Sequence, residues 1–460
     1  MDADVIVIGA GLAGLAAARH LRRAGRSVLI LEARDRVGGR THSEPHGDVV
    51  IDRGGAWIGP TQTRMLQLIR EYGIQVMRQP TDGKNVYVAR NQRREHGNKF
   101  LGILPIGSVP PDLSVLPDLA WLSLRLNQLS RQVPVDAPWA AKKAALWDSM
   151  TLAEWLRKNT RNPLSLRLAA ASFEAIWGAE ARDMSFLFAL HYVACAGDET
   201  HAGNFERLIN DRDGAQDSRF VKGSQTLALA MAQELGDCIH LNCAVQGITQ
   251  NPVRVHTADG RCLAAARVIV ALPPPMRARL GLLSPAHAPT INVHPCPPMG
   301  AIVKCVAIYE KPFWREQGLN GQAVLDHGII KTVFDVSPPG QGRGALLGFI
   351  GGDGARQWKH LSPDAQRQQT LAQLARCFGP QALQAQEWIT QDWTTDAWTG
   401  GGGPTAIAPP GWLTEYGAAY ARPQGAIHFA GTECVGYWTG YMEGAVRSGE
   451  RAASECLKTN

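Results

Sequence analysis

The residues Gly9-Ala10-Gly11-Leu12-Ala13-Gly14 constrain the fold more than any other part of the chain. They lie between an apolar strand, DVIVI, and an alanine-rich helical stretch from Leu12 to Arg23. A second apolar run, SVLILE, follows a break at Gly25. This is the grammar of a βαβ unit. Gly9 permits the tight turn, Gly11 lets backbone approach a pyrophosphate, and Gly14 lets the helix pack closely on the strand. The helix N-terminus then offers unpaired N–H groups and a partial positive charge to the phosphates. Glu32 closes the second strand, where a carboxylate accepts hydrogen bonds from ribose hydroxyls and disfavours a ribose phosphate. The pattern specifies a dinucleotide without choosing between nicotinamide and flavin.

With 460 residues the chain exceeds what one core usually supports, so two domains are expected. Sheet-like and helical stretches alternate along it. From Lys84 to Arg219 the chain reads as mostly helical, broken by prolines such as Pro117, Pro134 and Pro138. Strand patterns return in VHTADGRCL, a hairpin about Asp259-Gly260, and in RVIVALPPP. The expected division is 1–84, 220–292 and 396–460 for the dinucleotide domain. Residues 85–219, helical, and 293–395, a mixed sheet, form the substrate domain. No fixed-period repeat is present.

A net charge of +6 spread along the chain gives no basic stripe, so nucleic acid is not an expected partner. The nine cysteines form no C-x-x-C pair, which argues against a disulfide framework and a zinc site; no metal is expected. The first strand begins at Asp4 with no leader pattern ahead of it, and no run approaches the ~18 apolar residues of a membrane span. A cytoplasmic protein without a membrane anchor is the expectation.

The string EARDRVGGRT, with Arg34, Gly38, Gly39 and Arg40, resembles the flavoproteins of the amine oxidase superfamily. DRGGAWIGPTQTRMLQLIREYG, and the C-terminal FAGTECVGYWTGYMEGAVRSGERAA, resemble the flavin monoamine oxidase family in particular. So do FVKGSQ, PMGAIVKCVAIYEKPFW and PPGWLTEYG; the resemblance runs along essentially the whole chain. It implies an α/β chain in which a Rossmann-like, GR2-type FAD-binding domain is interleaved with an α+β substrate domain. It also implies that Gly39 and Arg40 approach the FAD pyrophosphate, and that Gly55, Ala56 and Trp57 belong to the cofactor site. Val245 would contact the adenine side, and Trp393, Gly431, Thr432, Glu433, Tyr441, Met442 and Ala445 would lie by the flavin. Phe173, Ala175, Ile176, Gln216, Phe349 and Gly403 carry over as substrate-pocket positions.

The activity so implied is oxidation of a primary or secondary amine to an imine that hydrolyses to aldehyde, with O2 reduced to H2O2. The partners would be a small amine and O2, and homodimers are common in the family. An alkyl amine has a solution pKa near ~10.4, so on the order of one molecule in a thousand is neutral at pH 7. An apolar aromatic site favours that form by penalising the cation. Tyr441 is the expected wall beside the amine. Lys304, a lone charge in the strand IVKCV, would assist oxygen reduction. Two departures stand out. The family's second cage tyrosine falls near Gly403 or Pro404, and its flavin-linking cysteine at Gly402 or Gly403, so FAD is expected to bind noncovalently. A flavin dehydrogenase, an L-amino-acid oxidase-like enzyme and a non-catalytic FAD scaffold remain alternatives. The residues name neither the amine nor the oligomeric state.

Overall fold

The computed structural model describes residues 1–97, 112–280, 295–340 and 342–458, with the backbone alone for the short strands 99–100, 104–105 and 281–282. The boundary expected at 292/293 lies outside the described residues. In the first of two large sheets, Ala3–Ile8 pairs in parallel with Val28–Leu31 on one side and Cys262–Val270 on the other. Cys262–Val270 also takes Ile427–Phe429 in parallel register. Ile6, Val7, Ile30, Val268 and Ile269 are fully buried. A parallel sheet covered on both faces requires such unbroken apolar runs. The hairpin at Asp259-Gly260 joins Arg254–Thr257 to Cys262–Val270, with Gly260 at φ +85°.

The two chain ends meet on this sheet. A Cβ added to Gly449 would stand 2.1 Å from the Ala13 carbonyl oxygen. The helix Met442–Lys458 therefore touches the helix Leu12–Arg23 at backbone distance. The N-terminal and C-terminal segments singled out in the sequence are neighbouring parts of one layer.

The second sheet runs in the order Glu387–Asp392, Ile302–Tyr309, Gly344–Gly351, Thr332–Asp335, Leu319–Leu325, Lys84–Ala89 and Gln92–His96. Its neighbours are antiparallel except Leu319–Leu325 beside Lys84–Ala89. Residues directly opposed across strands share a face. Lys304, Phe349, Thr332 and Val324 consequently form one row across four strands.

A helical layer closes that face. The helix Pro163–Trp177 is started by Pro163 and by the Asn162 side chain, which accepts from Leu164 N–H. The helix Phe186–Cys195 starts with Ser185 Oγ accepting from Phe188 N–H, and every one of its residues is buried. A helix apolar on all sides belongs inside a large core. Its single phenol, Tyr192, is carried there with it. Among the described residues no helix is long and apolar enough to cross a membrane.

Candidate active site

The two sheets and the helical layer enclose one continuous cavity of about 1450 Å³, larger than the ~300–1,000 Å³ of an ordinary small-molecule site. One end is built by the dinucleotide turn. Gly9 has φ +101°, and a Cβ there would meet the Ala271 carbonyl oxygen at 2.7 Å. Gly14 is tighter still, its added Cβ falling 1.9 Å from the Gly9 carbonyl oxygen. Gly11 and Gly39 face each other closely enough that a Cβ on Gly39 would lie 3.2 Å from the Gly11 Cα. Side chains are excluded on both loops, leaving backbone N–H groups to form the cradle.

Glu32 is buried and oriented by two backbone donors, Ala10 N–H at 2.7 Å and Arg34 N–H at 2.9 Å. Glu32 also lines the cavity, and its carboxylate has acceptor capacity beyond these two bonds. Arg34 lines the cavity with its guanidinium drawn to Asp396 Oδ1 at 2.5 Å. The glycine loops, the acid and the cavity volume together fit FAD.

At the other end, Lys304 is 6% exposed and lies with its Nζ 5.5 Å from the ring centres of both Trp57 and Phe349. Its ammonium donates to the Asp52 carbonyl oxygen at 2.9 Å and to that of Gly54. Burial pulls its pKa down to about 8, against the attraction of Asp52 and with help from Arg219. Trp57 and Phe349 also pack with Phe334, at ring-centre distances of 5.3 to 6.0 Å. This wall is apolar apart from one cation.

Tyr441 packs edge-on against Trp438 at 4.9 Å and lies 5.9 Å from Tyr192. Burial pushes both phenols well above the usual tyrosine range. Trp438 has φ +55°, a rare conformation for so large a side chain. It is held by Trp438 N–H donating to the Cys195 carbonyl oxygen at 2.8 Å, and by its indole N–H donating to that of Thr61 at 3.2 Å. Met442 and Ala445, on the first turn of the last helix, line the same cavity.

All of the expected site residues line this cavity except two. Gly14 lies behind the turn, where it sets the helix against Gly9. Glu433 pairs with Arg40 beside the cavity-lining Gly431. Its two oxygens accept from Arg40 Nη1 at 2.7 Å and Nη2 at 3.1 Å, so it acts by fixing the Arg40 guanidinium. Arg40 also donates to the Pro404 carbonyl oxygen at 2.8 Å, tying the second glycine loop to the segment that follows Gly400–Gly403. Gly402 and Gly403 line the cavity with no ring and no thiol. Added Cβ atoms there would meet Thr394 N at 2.7 Å and Gly300 N at 2.6 Å.

Sequence reasoning missed Tyr192, Phe334, Thr332, Gln322 and Asp211, all of which line the cavity. Tyr192 had a signal, a phenol in an otherwise apolar helical run, FLFALHYVAC. Asp211 had none, because NDRDG reads as an exposed turn.

Comparisons with known proteins agree with this geometry. The family model for flavin containing amine oxidoreductases matches residues 12–457. A Mycobacterium tuberculosis protein, provisionally named flavin-containing monoamine oxidase AofH, is 39% identical over 98% of this chain and 96% of its own. Flavin-containing amine oxidase B of Cavia porcellus is 34% identical over 99% of this chain and 86% of its own. A structure of wild-type putrescine oxidase bound to putrescine superposes with a TM-score of 0.91 at 30% identity, covering 99% of both chains. Cyclohexylamine oxidase from Brevibacterium oxydans IH-35A gives 0.90 at 32% identity, covering 100% of this chain and 99% of that one. With an FAD-shaped glycine cradle continuous with an aromatic pocket, the chain belongs to the flavin-containing amine oxidoreductases, and it is an FAD-dependent enzyme that oxidises amines.

Proposed function

We propose that this enzyme oxidises a primary or secondary amine to the imine, which water hydrolyses to an aldehyde and ammonia or an amine, while O2 is reduced to H2O2. The carrying observation is the single cavity that runs from the Gly9–Gly14 turn to an aromatic pocket walled by Tyr441 and Phe349. Bound FAD supplies the two-electron acceptor. Gly9, Gly11 and Gly39 would hold its pyrophosphate, Glu32 its adenosine ribose, and Val245 its adenine side. Thr432, Tyr441 and Met442 would border the flavin.

The protein's own work is selection and orientation. The Tyr441 and Phe349 rings exclude water and penalise the ammonium form of the substrate. The charge on Lys304 repels that form as well, so the neutral amine with its free lone pair is the species admitted. Tyr192 holds the Tyr441 ring from behind. Lys304, fixed on two carbonyl oxygens, offers a positive charge to oxygen as it is reduced. With no thiol in the segment Gly400–Gly403, FAD is held noncovalently. The protein functions in the cytoplasm, as a monomer or a homodimer.

Anaerobic mixing with aromatic monoamines, alkyl amines, diamines and amino acids tests the reading. At least one amine should bleach the flavin, faster as pH rises and free base accumulates, and air should then yield one H2O2 per amine. Brisk dye reduction with little peroxide would overturn the oxidase assignment. Acid precipitation should release all yellow colour, and colour retained in washed protein would overturn noncovalent binding.

A further inference from the structure

The pocket end that faces Lys304 is apolar, but the same cavity turns polar farther along the second sheet. Gln322, two residues before Val324, lies on the cavity side with it. Both amide hydrogens of Gln322 are committed, to the Pro80 carbonyl oxygen at 3.0 Å and to Asp211 Oδ2 at 2.8 Å. Its orientation is thereby fixed, and it fixes Asp211 in turn. Asp211 is 6% exposed and lines the cavity, and its Oδ1 has no hydrogen-bond partner among the described residues. Arg212, the next residue, is exposed and donates to Thr81 Oγ1. Two more cavity-lining acceptors, Thr332 Oγ1 and Gln216 Oε1, are buried with no partner among the described residues.

Buried polar atoms ordinarily have partners, so two open acceptors in a cavity that also carries a carboxylate call for an occupant. The occupant must donate hydrogen bonds and carry positive charge. We infer that Asp211, held by Gln322, is a subsite for the second, cationic nitrogen of a long diamine or polyamine, with Thr332 and Gln216 accepting further hydrogen bonds along its path. This rests on the amine oxidase reading above.

The charge layout supplies the orientation. Lys304 at one end disfavours an ammonium there, and Asp211 at the other favours one. A diamine therefore enters with its neutral nitrogen toward Lys304 and Tyr441 and its charged nitrogen toward Asp211. The length follows from the sheet. Three strand steps separate the Lys304 strand from the Gln322 strand, at ~4.8 Å per step roughly 14 Å. A short diamine cannot span that distance, whereas an eight-carbon chain or a polyamine approaches it.

The test uses the FAD-loaded enzyme and its Asp211→Asn and Gln322→Leu variants. Anaerobic bleaching is measured with octamethylenediamine, tetramethylenediamine and octylamine. In the wild type the long diamine should exceed octylamine in kcat/KM, and the short diamine should not. Asp211→Asn should lower the ratio for long diamine over octylamine about 10- to 100-fold, the cost of losing a charged hydrogen bond. Gln322→Leu should lower it by a smaller factor, since the carboxylate remains but loses its orientation. Octylguanidinium carries a charge and N–H donors but no oxidisable amine, and gives a readout free of turnover. Its inhibition constant should rise about tenfold in Asp211→Asn, again the cost of losing a charged contact. Equal ratios and equal inhibition in wild type and both variants would overturn the subsite while leaving monoamine oxidation standing. Failure of every amine to bleach the wild-type flavin would overturn the amine oxidase reading, and the subsite with it.

Discussion

Replacing Lys304 with methionine separates two energetic consequences of burying this amine. The variant leaves the carbonyl oxygens of Asp52 and Gly54 without their donor, at roughly 1–3 kcal/mol each. It also removes a buried cation whose pKa has fallen from 10.5 to about 8. That shift corresponds to about 3 kcal/mol of unfavourable charge burial. The two effects oppose each other, so the net change at pH 7 is small. Their pH dependence does not cancel. Below pH 8 the lysine is protonated both folded and unfolded, and the full penalty is present. Between about 8 and 10.5 the unfolded chain binds one more proton than the folded one, so wild-type stability rises with pH. Relative to Lys304→Met, the wild type should gain about 2 kcal/mol between pH 7 and 9.5. Chemical denaturation followed by tryptophan fluorescence, at saturating FAD and a series of pH values, measures this difference. Parallel stability profiles for the two proteins would refute the buried-cation argument. The same ionisation governs the proposed role in catalysis: reaction of the reduced enzyme with oxygen should slow as pH rises through about 8, while amine oxidation accelerates.

Tyr192→Phe removes the buried hydroxyl beside Tyr441 and keeps the ring packing. Flavin reduction by amine should slow about five- to tenfold, roughly 1 kcal/mol, in rapid-mixing traces, and an unchanged rate would make Tyr192 a packing residue only. Glu433→Gln frees one side of the Arg40 guanidinium, and titration of apoprotein with FAD should give a dissociation constant about 10- to 100-fold weaker. Gly14→Ala would force a Cβ to 1.9 Å from the Gly9 carbonyl oxygen. The turn must move by more than ordinary overpacking of ~1–3 kcal/mol allows, and the purified variant should lack bound flavin. Full flavin occupancy in that variant would contradict the packing role given to Gly14.

The nucleotide half of the site was legible because its requirements are local. Gly9, Gly11, Gly14 and Glu32 act through a strand, a turn and a helix contiguous in sequence, and no other residue types satisfy the same backbone geometry. Lys304 was legible as an anomaly, a charge among Ile302, Val303, Cys305 and Val306, although its burial was not. The pairing of Glu433 was not legible for a related reason. A carboxylate beside a cofactor motif looks like a ligand, and only the folded chain brings Arg40, almost the whole sequence away, to take both of its oxygens.

The sequence by itself determined the dinucleotide turn, the apolar parallel strands, the family and the absence of a thiol in the Gly400–Gly403 loop. The turn, the strands and the missing thiol follow from residue type and short-range spacing, and the family from motifs that resemble it along the whole chain. The tertiary structure alone decided what the cavity's far walls are made of. Tyr192 stands behind Tyr441 because a helix buried on every side carries its phenol into the core. Asp211 faces the cavity because Gln322, on a distant strand, holds it there. Both placements depend on packing between elements remote in the chain, which no local pattern encodes.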